Sequence, residues 1–411
     1  MPTVEGTPGS GPTPAASRGI VHEIAAGFGD VGVFLPLALG LIAVNGLNPT
    51  LVFGLAGAYY IVSGRFYGLP MPVQPFKAVV AIAIASGLSA GTIQGAALGM
   101  SGGLLLLSLG RLPAIIERIF QPPVVRGIQL GLGIILLQGG LQLVLRDARL
   151  PSGTGSATAL VLLAMGVIAV ALVQARTRLP AILVVGAVGV AWGLLTMPAV
   201  PPVVPLGPIL ALPALPTPAE MGFALVVLVL PQLPLTLGNS VVSTADVARE
   251  YFGAAAVRVT PRTLLRDMSL ANLLVGIGGG VPMCHGAGGL TAHVRFGGRT
   301  PLTTYVAGAF YLLLGLGFGA AAPAALALFP VAILGVLVGY VGWQHLQLVR
   351  RLSAPADIAV AGLIGAVTFV AGSLALGFSV GLAAYWGRRL LAAGREPRAP
   401  GKNASRSNSA S

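Results

Sequence analysis

Three prolines fall within six residues at Pro70-Met71-Pro72-Val73-Gln74-Pro75, and Phe76, Lys77 and a long apolar run follow at once. Proline lacks a donor and clashes with the preceding turn, so this stretch cannot lie inside a helix. The spacing predicts an extended lead-in and then a half-helix that Pro75 opens at its first position, where proline fits. First-turn N–H groups have no internal partner and carry the positive end of the helix dipole. Gln74 supplies a neutral donor there, and Lys77 a full positive charge. A cation at a helix N-terminus is unfavourable on its own, and an anion held by the N–H groups of Phe76 and Lys77 removes the conflict. The competing reading is a surface loop with Lys77 reaching up to lipid headgroups.

A second segment has the same character. Val281-Pro282-Met283-Cys284-His285-Gly286-Ala287-Gly288-Gly289 follows Gly276, Gly278, Gly279 and Gly280. Its glycines leave backbone N–H groups uncovered, which suits close approach of an oxyanion. His285 can donate, or take up a proton near neutral pH. Cys284 and His285 are too few ligands for a structural zinc, and no Gly-Lys-Ser/Thr follows to make a nucleotide loop, so neither metal nor cofactor is expected. Close packing of transmembrane helices is the competing account of the glycines. His293, two turns on, reads as structural. In a third segment, 231–250, Gln232, Thr236, Asn239, Ser240 and Ser243 interrupt an apolar run and must face protein or water. Asp246 is either a proton site or the ion-pair partner of Arg249, with the ion pair favoured. Asn48-Pro49 is expected to mark a turn between helices.

The elements that position these residues follow from composition. The 411-residue chain is 55% hydrophobic and 9% charged, with mean hydropathy +0.89. A soluble domain carries about 25% charged residues, so a water-exposed surface cannot be built from this set. The net charge of +13 does not indicate a nucleic-acid partner, because the basic residues are scattered singly between apolar runs. Cys284 is the one cysteine, which excludes a disulfide framework. The class is an all-α polytopic membrane protein. At roughly 20 residues per span the chain holds about 12 to 14 helices. The apolar runs beginning near 76 and 287 are too short to cross alone. Residues 1–24 and 393–411 read as disordered tails, the second of them basic.

With both tails placed in the cytoplasm, the inside loops collect Arg65, Arg111, Arg118, Arg176, Arg178, Arg249, Arg258, Arg262, Arg266, Arg295, Arg299, Arg350 and Arg351, and only Arg146 and Arg149 fall outside. Leu35-Pro36-Leu37-Ala38-Leu39-Gly40 recurs as Leu233-Pro234-Leu235-Thr236-Leu237-Gly238. The 70–75 and 281–286 segments echo each other, as do 121–125 and 329–333. Three ordered pairs at offsets of roughly 200 residues predict two homologous halves, 25–197 and 222–392, joined by an extracytoplasmic linker over 198–221. Seven spans per half is an odd number, so the second half is inverted. Facing half-helix N-termini then form a neutral-to-positive pocket at the bilayer midplane. No carboxylate lies near either motif in the sequence, so a small anion is the expected substrate.

PMPVQPFKAV with MCHGAGGLTAHVRFGGRT resembles the two signature segments of the MOT1 molybdate transporter family, a relative of the SulP/SLC26 sulfate transporters, and PQLPLTLGNSV resembles it too. The resemblance runs across about 25–390. It implies a seven-plus-seven inverted repeat of SulP/UraA type with core and gate domains, no C-terminal STAS domain, and an anion site at Gln74, Lys77 and 284–289. The expected function is secondary active import of molybdate by alternating access, coupled to protons, in the cell's inner (plasma) membrane. The expected ligand contacts are Gln74, Phe76, Lys77, Gln232, Asn239, Cys284, His285, Gly286, Ala287, Gly288 and Gly289, with His285 and Asp246 as proton candidates. A homodimer surrounded by lipid is the expected assembly. Sulfate transport and an anion channel stay open as alternatives. An intramembrane enzyme would need a nucleophile–base pair or carboxylate cluster that the sequence lacks.

Overall fold

A computed structural model describes residues 19–149, 155–176, 181–196, 205–211, 213–327 and 330–393. Both tails beyond these limits, residues 198–204 and 212 of the 198–221 linker, and Leu328 and Phe329 lie outside the described residues.

The elements run as α1 (Ile20–Gly27), α2 (Val31–Asn45), α3 (Pro49–Tyr67), β1 (Gln74–Pro75), α4 (Lys77–Ser86), α5 (Ala90–Leu107), α6 (Leu112–Ile119), α7 (Pro122–Arg149), α8 (Ser156–Arg176) and α9 (Ala181–Thr196). Then come α10 (Pro218–Ala224), α11 (Leu230–Leu235), α12 (Thr244–Phe252), α13 (Pro261–Gly278), β2 (Met283–Cys284) and α14 (Ala287–Arg295). The chain continues through α15 (Leu302–Leu312), α16 (Ala322–Ala327), α17 (Val331–Leu346), α18 (Pro355–Ala371) and α19 (Leu374–Ala393). Wider π-helical turns at Leu225–Val229 and Thr236–Ser243 join α10, α11 and α12 into one long helix, 218–252. Among the described residues, five stretches are long and apolar enough to cross a membrane: Ile20–Asn45, Ala90–Leu107, Pro122–Leu145, Pro218–Arg258 and Val331–Arg351. Large apolar side chains such as Leu106, Leu194, Val226, Leu274 and Val370 stand exposed. On a water-soluble protein these would be a liability, and in lipid they are the solvated surface.

Two packed groups emerge. In one, α3 lies on α15 and α5 on α13. In the other, α7 runs between α17 and α18, and α18 lies on α19. Small residues permit the tightest approaches: a Cβ added at Gly140 of α7 would sit 2.5 Å from the Gly335 carbonyl of α17. Buried Glu23 ties α1 to the other half by accepting the backbone N–H groups of Arg299 and Thr300 and the hydroxyl of Thr303.

Several expected boundaries shift. Helix α1 already begins at Ile20, inside the stretch expected to be a tail. The linker ends at 217, not 221, because Thr217 caps α10 in a reciprocal box with Glu220. Asn48 caps α3 through Thr50 N, with Pro49 at the first helical position, so the turn falls where the sequence placed it.

Candidate functional site

The two short apolar runs become short helices. At 1.5 Å per residue, α4 with 10 residues and α14 with 9 span about half of a bilayer core each. Their lead-ins pair as an antiparallel ribbon, Gln74 opposite Cys284 and Pro75 opposite Met283. The two segments that echo each other in sequence therefore meet in space, and both half-helices spring from one buried junction.

The ribbon differs from expectation in one respect. Pro75 lies in β1, and α4 starts two residues later at Lys77 with Phe76 as its cap. The Phe76 N–H donates to the Pro282 carbonyl at 2.8 Å and so is not available to an anion. A proline in a two-residue strand is tolerated because the ribbon needs only the donors on either side of it. Asn272 of α13 clamps β2: its Nδ2 donates to the Met283 carbonyl at 2.6 Å, and its Oδ1 accepts the Met283 N–H at 2.9 Å. Tyr60 of α3 holds β1 by donating to the Val73 carbonyl at 2.8 Å.

Lys77 is buried and donates to Gln74 Oε1 at 2.9 Å. Gln74 Nε2 in turn donates to Asp30 Oδ1 at 2.5 Å, and the Tyr60 hydroxyl reaches Asp30 Oδ2 at 3.3 Å. A single amide thus stands between an ammonium and a carboxylate. Gln232 of α11 accepts the N–H groups of Ala78 and Val79 at 2.9 and 3.4 Å, capping α4 from another helix, and its Nε2 donates to Thr236. Asn239 accepts from Gln129 of α7 at 3.0 Å, and Gln129 accepts from Arg126 at 2.8 Å, which carries the polar network across to the second helix group.

On the α14 side, Gly286 is the cap and Ala287, Gly288 and Gly289 form the first turn. A Cβ at Gly286 would collide with Gln74 Oε1, and one at Gly289 would lie 2.6 Å from Gln74 Nε2 and 2.8 Å from Asp30 Oδ2. Those two glycines are required by the approach of the amide and the carboxylate. Gly288 is exposed and faces open space. His285 is fully buried, with Nδ1 2.7 Å from the Pro72 carbonyl and Nε2 2.6 Å from Asp267 Oδ2. Cys284 is buried in the ribbon.

The structure therefore gathers Gln74, Phe76, Lys77, Gln232, Asn239 and 284–289 around one junction. It leaves Asp246 on the surface of α12, 3.4 Å from Arg249, the favoured of the two readings. The inference that no carboxylate lies near either motif is overturned: Asp30 bonds Gln74 and Asp267 bonds His285. With Lys77 balanced by Asp30, the junction is closer to neutral than the sequence suggested. It is also packed, since Gln74, Lys77, Gln232 and His285 are all buried. A cavity of about 590 Å³ lies elsewhere, lined mainly by aliphatic side chains of α7, α8 and α17. The signal for Asp30 and Asp267 was present in the sequence: a carboxylate in or beside an apolar run is a functional candidate by default. Among the described residues, no group of three or more His, Cys, Asp or Glu could hold a metal ion.

Two half-helices joined by a ribbon, inside a helical bundle whose exposed surface is apolar, make a polytopic membrane-protein architecture that solved structures share. The transmembrane domain of the cyanobacterial bicarbonate transporter BicA superposes with TM-score 0.61 at 20% identity, covering 89% of this chain and 97% of that one. SLC26A9 superposes with TM-score 0.65 at 15% identity, covering 92% of this chain and 66% of that one. At the level of sequence, the family model described as a molybdate transporter of the MFS superfamily matches residues 22–136 and 224–344, and the chain belongs to that family. Molybdate transporter 2 of Arabidopsis thaliana is 27% identical over 406 residues, covering 88% of this chain and 86% of the relative.

Proposed function

We propose that the protein imports molybdate as a secondary active transporter working by alternating access, with the oxyanion bound where α4 and α14 meet. The carrying observation is the β1–β2 ribbon, which aims two half-helix N-termini at one buried junction beside Lys77. A tetrahedral dianion there accepts from Lys77 Nζ, from the Gln74 amide and from the first-turn N–H groups at Gly288 and Gly289, with Asn239 completing the shell. Such donors, fixed before the ligand arrives, spare it the cost of ordering them. Family membership supports molybdate as the anion.

Transport then requires α3–α5 and α10–α15 to move as a core against a gate built from α7–α9 and α17–α19. The Arg126–Gln129–Asn239 chain is the polar contact that this motion breaks and remakes. Each of the two expected inverted repeats, seven spans in 25–197 and seven in 222–392, contributes helices to both core and gate, with both termini cytoplasmic and the protein dimeric in the cell membrane. A dianion entering a negative-inside cell works against about 2.3 kcal/mol per charge per 100 mV, so accumulation is coupled to protons moving inward.

Radiolabelled molybdate uptake into proteoliposomes tests this reading. Wild-type protein should give saturable uptake that an inward proton gradient drives uphill and that tungstate competes. Lys77→Ala should lose at least tenfold in apparent affinity. Non-saturating flux that dissipates gradients would refute a secondary transporter in favour of a channel.

A further inference from the structure

His285 is surrounded by groups that fix where its protons are. The Pro72 carbonyl oxygen 2.7 Å from Nδ1 can only accept, so Nδ1 carries a proton. Asp267 Oδ2 lies 2.6 Å from Nε2, and the same oxygen receives the hydroxyls of Tyr59 at 3.0 Å and Tyr67 at 3.1 Å. With Nε2 protonated, Asp267 Oδ2 takes three donors, and the pair is an ionised carboxylate facing a doubly protonated imidazole. Now remove the Nε2 proton. The bare nitrogen needs a donor, and the Tyr59 hydroxyl already stands 3.0 Å from it. Turning that hydroxyl from Asp267 to Nε2 satisfies the nitrogen, while Tyr67 stays on Asp267. The two states differ by one proton and one hydroxyl rotation, and neither leaves a buried polar atom without a partner. Leaving the bare nitrogen without a donor would cost about 1–3 kcal/mol.

We propose that His285, Asp267 and Tyr59 form the site that takes up and releases the coupled proton, with His285 Nε2 as the atom that carries it. This rests on the reading of the adjacent junction as an oxyanion site. His285 directly precedes Gly286, the cap of α14, and its Nδ1 bond holds Pro72, two residues before Gln74. The imidazole therefore lies at the root of both half-helices. The loaded cluster is neutral overall and the unloaded one carries one negative charge, which a dianion at the junction opposes. Anion and proton therefore favour each other's binding, and by the same factor. Asp267 keeps 17% of its side chain exposed, which gives the released proton a way out to water.

The neighbours do not supply a rival. Cys284 is adjacent on β2, and Asp30 and Lys77 stand beyond Gln74, joined through it. Arg65 on α3 and Arg262 and Arg266 on α13 point to the exposed surface, as do Asp246 and Arg249 on α12. His293 on α14 is engaged with the Pro70 carbonyl.

The experiment measures protons taken up when molybdate is titrated into the purified full-length protein, by calorimetry in buffers of different ionisation enthalpy, together with affinity across the neutral pH range. Wild type should take up as much as one proton per anion, and its affinity should fall by up to tenfold per pH unit where the site titrates. Asp267→Asn should still bind molybdate with no proton uptake and less than a twofold change per unit. Tyr59→Phe keeps the ring and removes the turning hydroxyl, so it should flatten the pH dependence too, even if Asp267→Asn does not fold. Wild-type proton uptake persisting in both variants overturns the proposal. Tight molybdate binding by wild type with no proton uptake also overturns it, while leaving the oxyanion reading intact. If molybdate does not bind, sulfate and bicarbonate replace it: proton uptake lost in Asp267→Asn then supports the proton site although the molybdate reading has failed, and no binding of any of the three overturns both.

Discussion

The Gln74 amide can be tested as the link between Lys77 and Asp30 by a double-mutant cycle. It accepts from Lys77 Nζ at 2.9 Å and donates to Asp30 at 2.5 Å. Hydrogen bonds to charged groups contribute about 1.5–3 kcal/mol each, and Gln74→Leu removes both its own donor to the anion and the bond that aims Lys77 at it, so the change should cost about 3–6 kcal/mol of anion binding, or roughly 10²- to 10⁴-fold in affinity. Lys77→Met breaks only one of the two bonds but also removes the positive charge. If Gln74 acts partly by aiming the ammonium, the double variant should be weaker than the worse single variant by much less than the sum. The expected coupling is about 1.5–3 kcal/mol, which is the Gln74–Lys77 bond counted once. Molybdate affinity by calorimetry on detergent-purified protein is the assay, with uptake rates as a check. Additivity to within about 0.5 kcal/mol would refute the reasoning, because independent sites add to that tolerance. Variants that elute as aggregates are excluded by size-exclusion profile before any comparison.

Three further outcomes follow from the geometry. Gln232→Ala removes the acceptor for the Ala78 and Val79 N–H groups and should lower the melting temperature, with a loss of about 1–2 kcal/mol, whereas Gln232→Glu keeps the acceptor and should recover most of that stability. Gly140→Ala forces a Cβ to within 2.5 Å of the Gly335 carbonyl and should destabilise by about 1–3 kcal/mol in thermal unfolding, while Gly54→Ala, with nothing within 4 Å of its Cβ, should be neutral or mildly stabilising. Asp246→Asn breaks a 3.4 Å surface ion pair and should change stability by less than about 0.5 kcal/mol, with the pH dependence of uptake as in wild type.

The half-helices were legible because their signals are local. Proline cannot lie inside a helix, and a run of ten apolar residues cannot cross a bilayer, so 70–86 and 281–295 announce themselves in any context. That the two segments belong together was suggested by their echo in the sequence, and they pair in space. What could not be read was the partner of each polar group. Asp30 reaches Gln74 across 44 residues and Asn239 reaches Gln129 across 110, through helix packing that no spacing rule encodes. Asp267 sits 18 residues before His285, inside a stretch whose arginines directed attention to topology. The start of α4 was misplaced by two residues because proline at a first helical position and proline in a strand beside a half-helix leave the same local pattern.

The ribbon that joins β1 to β2 also has a consequence for how the protein is made. Gln74 and Cys284 are paired although more than half of the chain lies between them. While the first half is emerging, Asp30, Gln74 and Lys77 are already made, but the strand, the Asn272 clamp and the Gln232 cap that hold their surroundings have not been synthesised. Contacts this distant in sequence close late in folding. The junction is therefore among the last parts to mature, and a chain stalled before α11 carries a charged, half-built membrane segment that quality control can recognise.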